Sequence, residues 1–232
     1  MLKCLRTSIA SFAISLTIYS IHAAEPLPNQ YEAGDVKVAA ARANEPVIDL
    51  SIKKAVEHLD HGAVAWSKQK NCVSCHTNGT YLFVRPALTP TLGAPLAEIR
   101  KFFIDQLATL SKLGARRMRR SGTRPAQLIY IAAGLAEWDA HVTKKLSPET
   151  DEALRLAFEI QNTEGTWHSV TCWPPFESSA YQEAHMAGMA VAAAPGWVES
   201  IGNDDELKAR VDLLKTYIGK TEPPHDYAKV LQ

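Results

Sequence analysis

Apolar side chains recur at helical spacing along most of the chain after Asp49. Ile52, Ala55, Val56, Leu59, Ala63 and Trp66 follow the i, i+3, i+4, i+7 rule, which predicts an amphipathic helix over 51–68 with Asp49 or Ser51 as its cap. A short helix is expected over 81–88, broken by TPTLGAP. Pro95 then opens LAEIRKFFIDQLATLSKL, where Leu96, Ile99, Phe103, Leu107 and Leu110 form one stripe. RRMRRSGTRP reads as a basic loop, and PAQLIYIAAGLAEW after it is apolar nearly all round. SPETDEALRLAFEIQ has Ser147 as N-cap, Pro148 in the first turn and one face of Leu154, Ala157, Phe158 and Gln161. SSAYQEAHMAGMAVAAAPG is again apolar and small, and stops at Pro195 and Gly196. DDELKARVDLLKTYIG returns to one face with Leu207, Val211, Leu214 and Ile218. Strand alternation is nowhere sustained.

One-faced and all-round helices therefore alternate. A helix apolar on one face can have water behind it, whereas one apolar all round must be covered on every side. Two concentric layers meet both needs, with small-residue helices inside. Corresponding elements recur about every 50 to 55 residues (PAQLI to SSAYQ, SPETD to GNDDE), in the range of αα repeats. The expectation is an all-α fold, a partial α/α toroid of helical-hairpin repeats over 96–232, preceded by a separate helical segment over 49–95.

The N-terminus changes the picture of location. MLKCLRTSIASFAISLTIYSIHAAEP carries Lys3 and Arg6, an apolar run from Ile9 to Ile21 and then Ala23 and Ala24, the layout of a signal peptide over 1–24. The run falls short of the ~20 residues that span a bilayer, so membrane attachment would come only from an uncleaved leader. Residues 25–48 read as a linker. Loss of Lys3 and Arg6 takes the 25 basic residues to 23 against 25 acidic ones, a net charge near −2. No nucleic-acid footprint follows from that. Cys4 leaves with the leader, and Cys72, Cys75 and Cys172 remain, too few for a multi-disulfide scaffold.

Cys72, Cys75 and His76 stand together in NCVSCH, a CxxCH. Two thiols can add across the two vinyl groups of one porphyrin, and a histidine directly after them can reach the iron. Haem is attached in this way outside the cytoplasmic membrane, where the leader would send the chain. Zinc needs about four ligands, and no second Cys/His pair follows, Cys172 with His168 being too irregular. A redox CxxC expects a βαβ setting. One haem c is the expected cofactor, with zinc, a disulfide and inert thiols as the other readings.

QNTEGTW places Gln161, Gly165 and Trp167 at the spacing of the QW repeat, and this stretch resembles that of squalene-hopene cyclases and related terpene cyclases. The resemblance implies a structural role, the glutamine tying helix ends and the tryptophan stacking in the turn. The cyclases' acidic DxDD is absent, NDDE at 203–206 opening an outer helix instead, so cyclisation is not expected. A closer resemblance is to exported bacterial proteins that join a c-type haem segment to squalene-cyclase-like repeats. It rests on AVEHLDHGAVAWSKQK running into CxxCH and on WPPFESS before an inner helix, and covers Asp49 to the C-terminus. Two departures stand out. Thr77 replaces a second histidine of those relatives, and PPHDYAKVLQ looks like an inner helix cut short. The ring is then incomplete or completed by self-association or a partner subunit.

For the sixth iron position His168 and His185 are the histidine candidates, and Met118, Met186 and Met189 the thioether ones. His185, Met186 and Met189 lie in a packed small-residue helix and read more readily as core, while Met118 sits in the arginine loop. His58 and His61 precede Cys72 on its own helix and are expected to point elsewhere. Arg116, Arg117, Arg119, Arg120 and Arg124 read as a solvated loop, as partners of haem propionates or as a dock for an acidic protein. The expected function is that of an exported, periplasmic electron carrier serving a redox partner protein, not an enzyme. A haem enzyme or sensor with an open distal site, and a lipid- or protein-binding scaffold with a structural haem, are the alternatives.

Overall fold

The structure, a computed structural model, describes residues 52–167, 179–224 and 226–231. Every regular element among them is helical. The longer helices are α1 (Ile52–Lys70), α4 (Ala97–Ser111), α6 (Arg124–Trp138), α7 (Pro148–Glu159), α8 (Ala180–Ala193) and α10 (Asp205–Lys220). Short ones fill the connections: α2 (Asn78–Val84), α3 (Thr89–Leu92), α5 (Ala115–Arg119), α9 (Trp197–Ser200) and α11 (Asp226–Lys229). The leader, the linker, Cys4, His168, Cys172 and WPPFES lie outside the described residues.

The caps explain several boundaries. The Ser147 and Ser179 hydroxyls accept from the backbone N–H of Thr150 and Gln182, and the Asp204 carboxylate from that of Leu207. Each satisfies a donor that the first turn leaves without a partner. The alternation of one-faced and all-round helices has a packing counterpart. All residues from Leu128 to Ala136 of α6 are buried, as are those from Tyr181 to Ala187 of α8, and the two helices pack on each other. The one-faced helices lean on this pair, α4 and α7 on α6 and α10 on α8. Hydrogen bonds between partners 49 to 52 residues apart join successive helices and their connections: Arg100 to Glu149, Arg155 to Asp204, Gln161 to Arg210 and Gln182 to Tyr130.

The glutamine-tryptophan turn fastens one such junction. Gln161 Nε2 donates to the carbonyls of Gly165 and Arg210, both at 3.1 Å, and Trp167 Nε1 donates to the Ala157 carbonyl at 2.8 Å. Gly165 has φ +91°, and a Cβ there would lie 2.7 Å from the Leu213 carbonyl oxygen of α10. Only glycine permits that approach.

After α6 a π-helical turn, Asp139–Thr143, brings the fully buried Asp139 carboxylate under the start of α7. It accepts from Ser147 N–H, Ser147 Oγ and Thr150 Oγ1, each at 2.6 Å. Asp139→Ala strands those donors and is expected to lower the unfolding free energy by about 3 kcal/mol in urea titration.

Four expectations need correction. RRMRR is not wholly loop: α5 forms because Met118, fully buried, anchors one face of it in the core. TPTL continues helically as α3, with Pro90 in the first turn where its missing N–H costs nothing. The helix expected over 81–88 begins earlier, at Asn78, and ends as α2 at Val84, before a 3₁₀ turn, Pro86–Leu88. In α1 the apolar stripe is only partly covered: Ala63 is buried, but Ile52 and Leu59 are 54% and 51% exposed.

Candidate functional site

α1 ends at Lys70, and Asn71 follows in the left-handed region at φ +50°, its N–H donating to the Ser67 carbonyl at 3.2 Å. Asparagine adopts this conformation more readily than most residues, so the chain turns sharply just before Cys72. The turn is braced from beneath by Asn78, which is fully buried. Its Oδ1 accepts from Ser74 N–H at 2.9 Å, while Nδ2 donates to the Cys72 carbonyl and to Ser67 Oγ, both at 3.0 Å. One side chain thus ties both strands of the turn to α1. Gly79 N–H donates to the Ser74 carbonyl at 2.9 Å, and a Cβ on Gly79 would lie 2.4 Å from that oxygen.

The turn presents the thiols of Cys72 and Cys75, both half-buried. His76 Nδ1 lies 3.1 Å from Ser74 Oγ and 3.5 Å from Cys75 Sγ, and the Trp66 ring meets its imidazole edge-on at 5.4 Å. Partial burial holds its pKa below the ordinary 6.5, so the neutral, ligating form prevails at neutral pH.

Two cavities flank the turn. One, about 210 Å³, is lined by both thiols with Trp66, Thr123, Ala126 and Tyr130. The other, about 260 Å³, is lined by His76 with His58, Leu59, Tyr81, Arg85 and Leu88. Each is smaller than the roughly 300–1,000 Å³ of ordinary ligand pockets. Behind the second, the Tyr81 hydroxyl donates to Asp60 at 2.7 Å and accepts from Leu96 N–H at 3.2 Å, joining α1, α2 and the start of α4; burial pushes its pKa well up. Among the described residues no three His, Cys, Asp or Glu side chains gather as ligands of a single ion.

The sequence candidates separate cleanly. Cys72, Cys75 and His76 share the turn. His185 is buried in α8, with Nδ1 2.9 Å from the Tyr181 carbonyl and Nε2 buried without a hydrogen-bond partner, and it lines neither cavity. Met186 is core and Met189 is 39% exposed. His58, expected to point elsewhere, lines the cavity of His76, because a turn of α1 separates it from Gly62 and Ala63 on the same wall. The side chains of Arg116, Arg117, Arg119 and Arg120 are exposed and line neither cavity. Gly122 and Thr123, just after them, do line the thiol cavity. Sequence reasoning missed Asn78, Gly79, Tyr81 and Arg85; the Asn-Gly pair two residues after the motif's cysteine-histidine pair, and Arg-Pro at 85–86, were the available signals.

Comparison with protein-family models, with curated proteins and with solved structures finds no match.

Proposed function

We propose that the chain carries one haem c, joined through thioethers at Cys72 and Cys75 and ligated by His76, and passes single electrons to a redox partner protein outside the cytoplasmic membrane. The observation that carries this reading is that one turn, braced by the buried Asn78, presents two thiols and a neutral imidazole together, with Cys75 Sγ 3.5 Å from His76 Nδ1. Among the described residues no three such side chains gather on one point as a single small ion would need.

The iron would supply a one-electron couple there. What this chain does is hold the turn through Asn78, keep His76 neutral and leave the motif near the surface, where a partner can approach. The exposed arginines of α5, which lead directly to Gly122 and Thr123 on the thiol cavity, form the local positive field for an acidic partner. The helical repeats form the scaffold, and we read the α6/α8 pair with its outer helices as part of an α/α toroid, completed by self-association or a partner subunit.

Potentiometric titration of the pigmented protein tests the electron-carrier reading: the ratio of oxidised to reduced form should change tenfold per about 59 mV, the one-electron slope. Of the histidine candidates, His58 lines the cavity of His76 and would offer the group a second imidazole, whereas His185 lines neither cavity. His58→Ala is expected to let carbon monoxide alter the reduced spectrum, whereas His185→Ala leaves it as in the unsubstituted protein. Immediate carbon monoxide binding by the unsubstituted protein would instead favour a haem enzyme or sensor with an open distal site.

A further inference from the structure

The last carbonyls of α7 are held by arginines from two other helices. The Phe158 carbonyl accepts from Arg210 Nη1 of α10 at 3.1 Å, and the Glu159 carbonyl accepts from Arg119 Nη2 of α5. Each arginine satisfies an acceptor that the end of a helix leaves open. The same two side chains line a groove of about 620 Å³, together with Ala209 and Leu213 of α10 and Thr163 of the glutamine-tryptophan turn. That volume lies within the roughly 300–1,000 Å³ of ordinary ligand sites, unlike either cavity at the cysteine turn.

The groove is electrostatically one-sided. Arg210 has little left to offer, since its Nε and Nη2 donate to the Glu206 carboxylate at 3.3 and 3.0 Å, and the two charges cancel on the wall. Arg119 is exposed and spends on Glu159 one of the five N–H donors of a guanidinium. Around it stand Arg116, Arg117 and Arg120, also exposed, while the buried Met118 holds the inward side of α5. Among the described residues Arg100, Arg155 and Arg210 are each paired with a carboxylate, and none of these four arginines is. Like charges three and four positions apart on a helix repel, so an anionic partner relieves a strain that the chain itself leaves in place.

The rest of the lining narrows the kind of anion. Ala209 and Leu213 are one turn apart on α10 and give the groove an apolar strip. A phosphate backbone carries its charge without interruption and would also meet the Glu206 side chain, 79% exposed, and the exposed Glu159 near it. A peptide can set a carboxylate against Arg119 and an aliphatic side chain against Ala209 and Leu213 in turn. We propose that this groove seats an extended segment of a partner protein in which acidic and aliphatic side chains alternate, with Arg119 pairing its carboxylate and Ala209 and Leu213 receiving its apolar side chains. The proposal deepens the acidic-partner part of the reading above by giving the partner's segment a place. It needs no haem, because the groove shares no lining residue with either cavity of the cysteine turn.

The test is fluorescence anisotropy of a labelled peptide of alternating glutamate and leucine, blocked at both ends, titrated with the full chain in pigmented and colourless form. Arg119→Glu and Ala209→Glu should each weaken binding by about tenfold, the first by reversing the pairing charge and the second by placing a carboxylate on the apolar strip. Arg116→Glu makes the same charge change as Arg119→Glu outside the groove and should weaken it by less than about threefold, since exposed charges are well screened. Ala209 is exposed, so its variant keeps the test sharp should Arg119→Glu disturb the hold on α7. No binding of the peptide overturns the proposal. So does an equal loss in Arg116→Glu and Arg119→Glu with Ala209→Glu unchanged, which would leave only a diffuse positive field. A DNA duplex that binds more tightly than the peptide and is lost in the same variants would assign the groove to a phosphate backbone and overturn it too. A colourless chain that still takes up the peptide would sink the haem reading alone.

Discussion

Replacing Asn78 by alanine is expected to lower stability by about 3 kcal/mol and to disorder the cysteine turn. The side chain is fully buried, and its amide holds Ser74 N–H, the Cys72 carbonyl and Ser67 Oγ together. Each backbone group left buried without a partner costs about 1–3 kcal/mol, and two are stranded at once. Gly79→Ala attacks the same turn from the other side, since the new Cβ would meet the Ser74 carbonyl at 2.4 Å and backbone must move. Both variants should shift the urea midpoint downward and reduce the yield of pigmented protein. An unfolding free energy within about 0.5 kcal/mol of the original for Asn78→Ala would mean that the turn is held by something else.

The second large effect concerns the motif itself. Cys72→Ala and Cys75→Ala each remove one thioether, and the double variant removes both, so pigment should no longer follow the unfolded polypeptide. His76→Ala should keep the thiols yet lose the spectrum of an iron with two histidine ligands, because His58 is then the imidazole left on the second cavity. Pigment that survives denaturation in the double cysteine variant would place the attachment elsewhere.

How much of this was legible before the fold was known depends on the kind of information each residue carries. The helices were legible because burial on one face leaves a period, as in Leu207, Val211 and Leu214, and burial on every face leaves a run, as from Leu128 to Ala136. The Ser147 cap was legible because its chemistry is local. The cysteine motif was legible for the same reason. Asn78 was not, since its value lies in three bonds to positions whose orientation only the left-handed Asn71 creates. Arg85 was not, because burial of a cation at 3% exposure is decided by how α2 meets the segment ending at Gly93. A sequence scan sees five clustered arginines more readily than one buried one, and those five line neither cavity with their exposed members. Likewise the i, i+3, i+4 pattern of α1 could not tell that Leu59 stays uncovered beside His76.

The central claim is covalent haem at Cys72 and Cys75, and the most direct measurement is made on the protein matured in a host that attaches haem, then fully denatured and separated by size. The account predicts that iron-porphyrin absorbance and peroxidase staining stay with the polypeptide, and that its intact mass exceeds that of the bare chain by one haem. A colourless chain of unmodified mass, or pigment that separates from it on denaturation, would contradict the account.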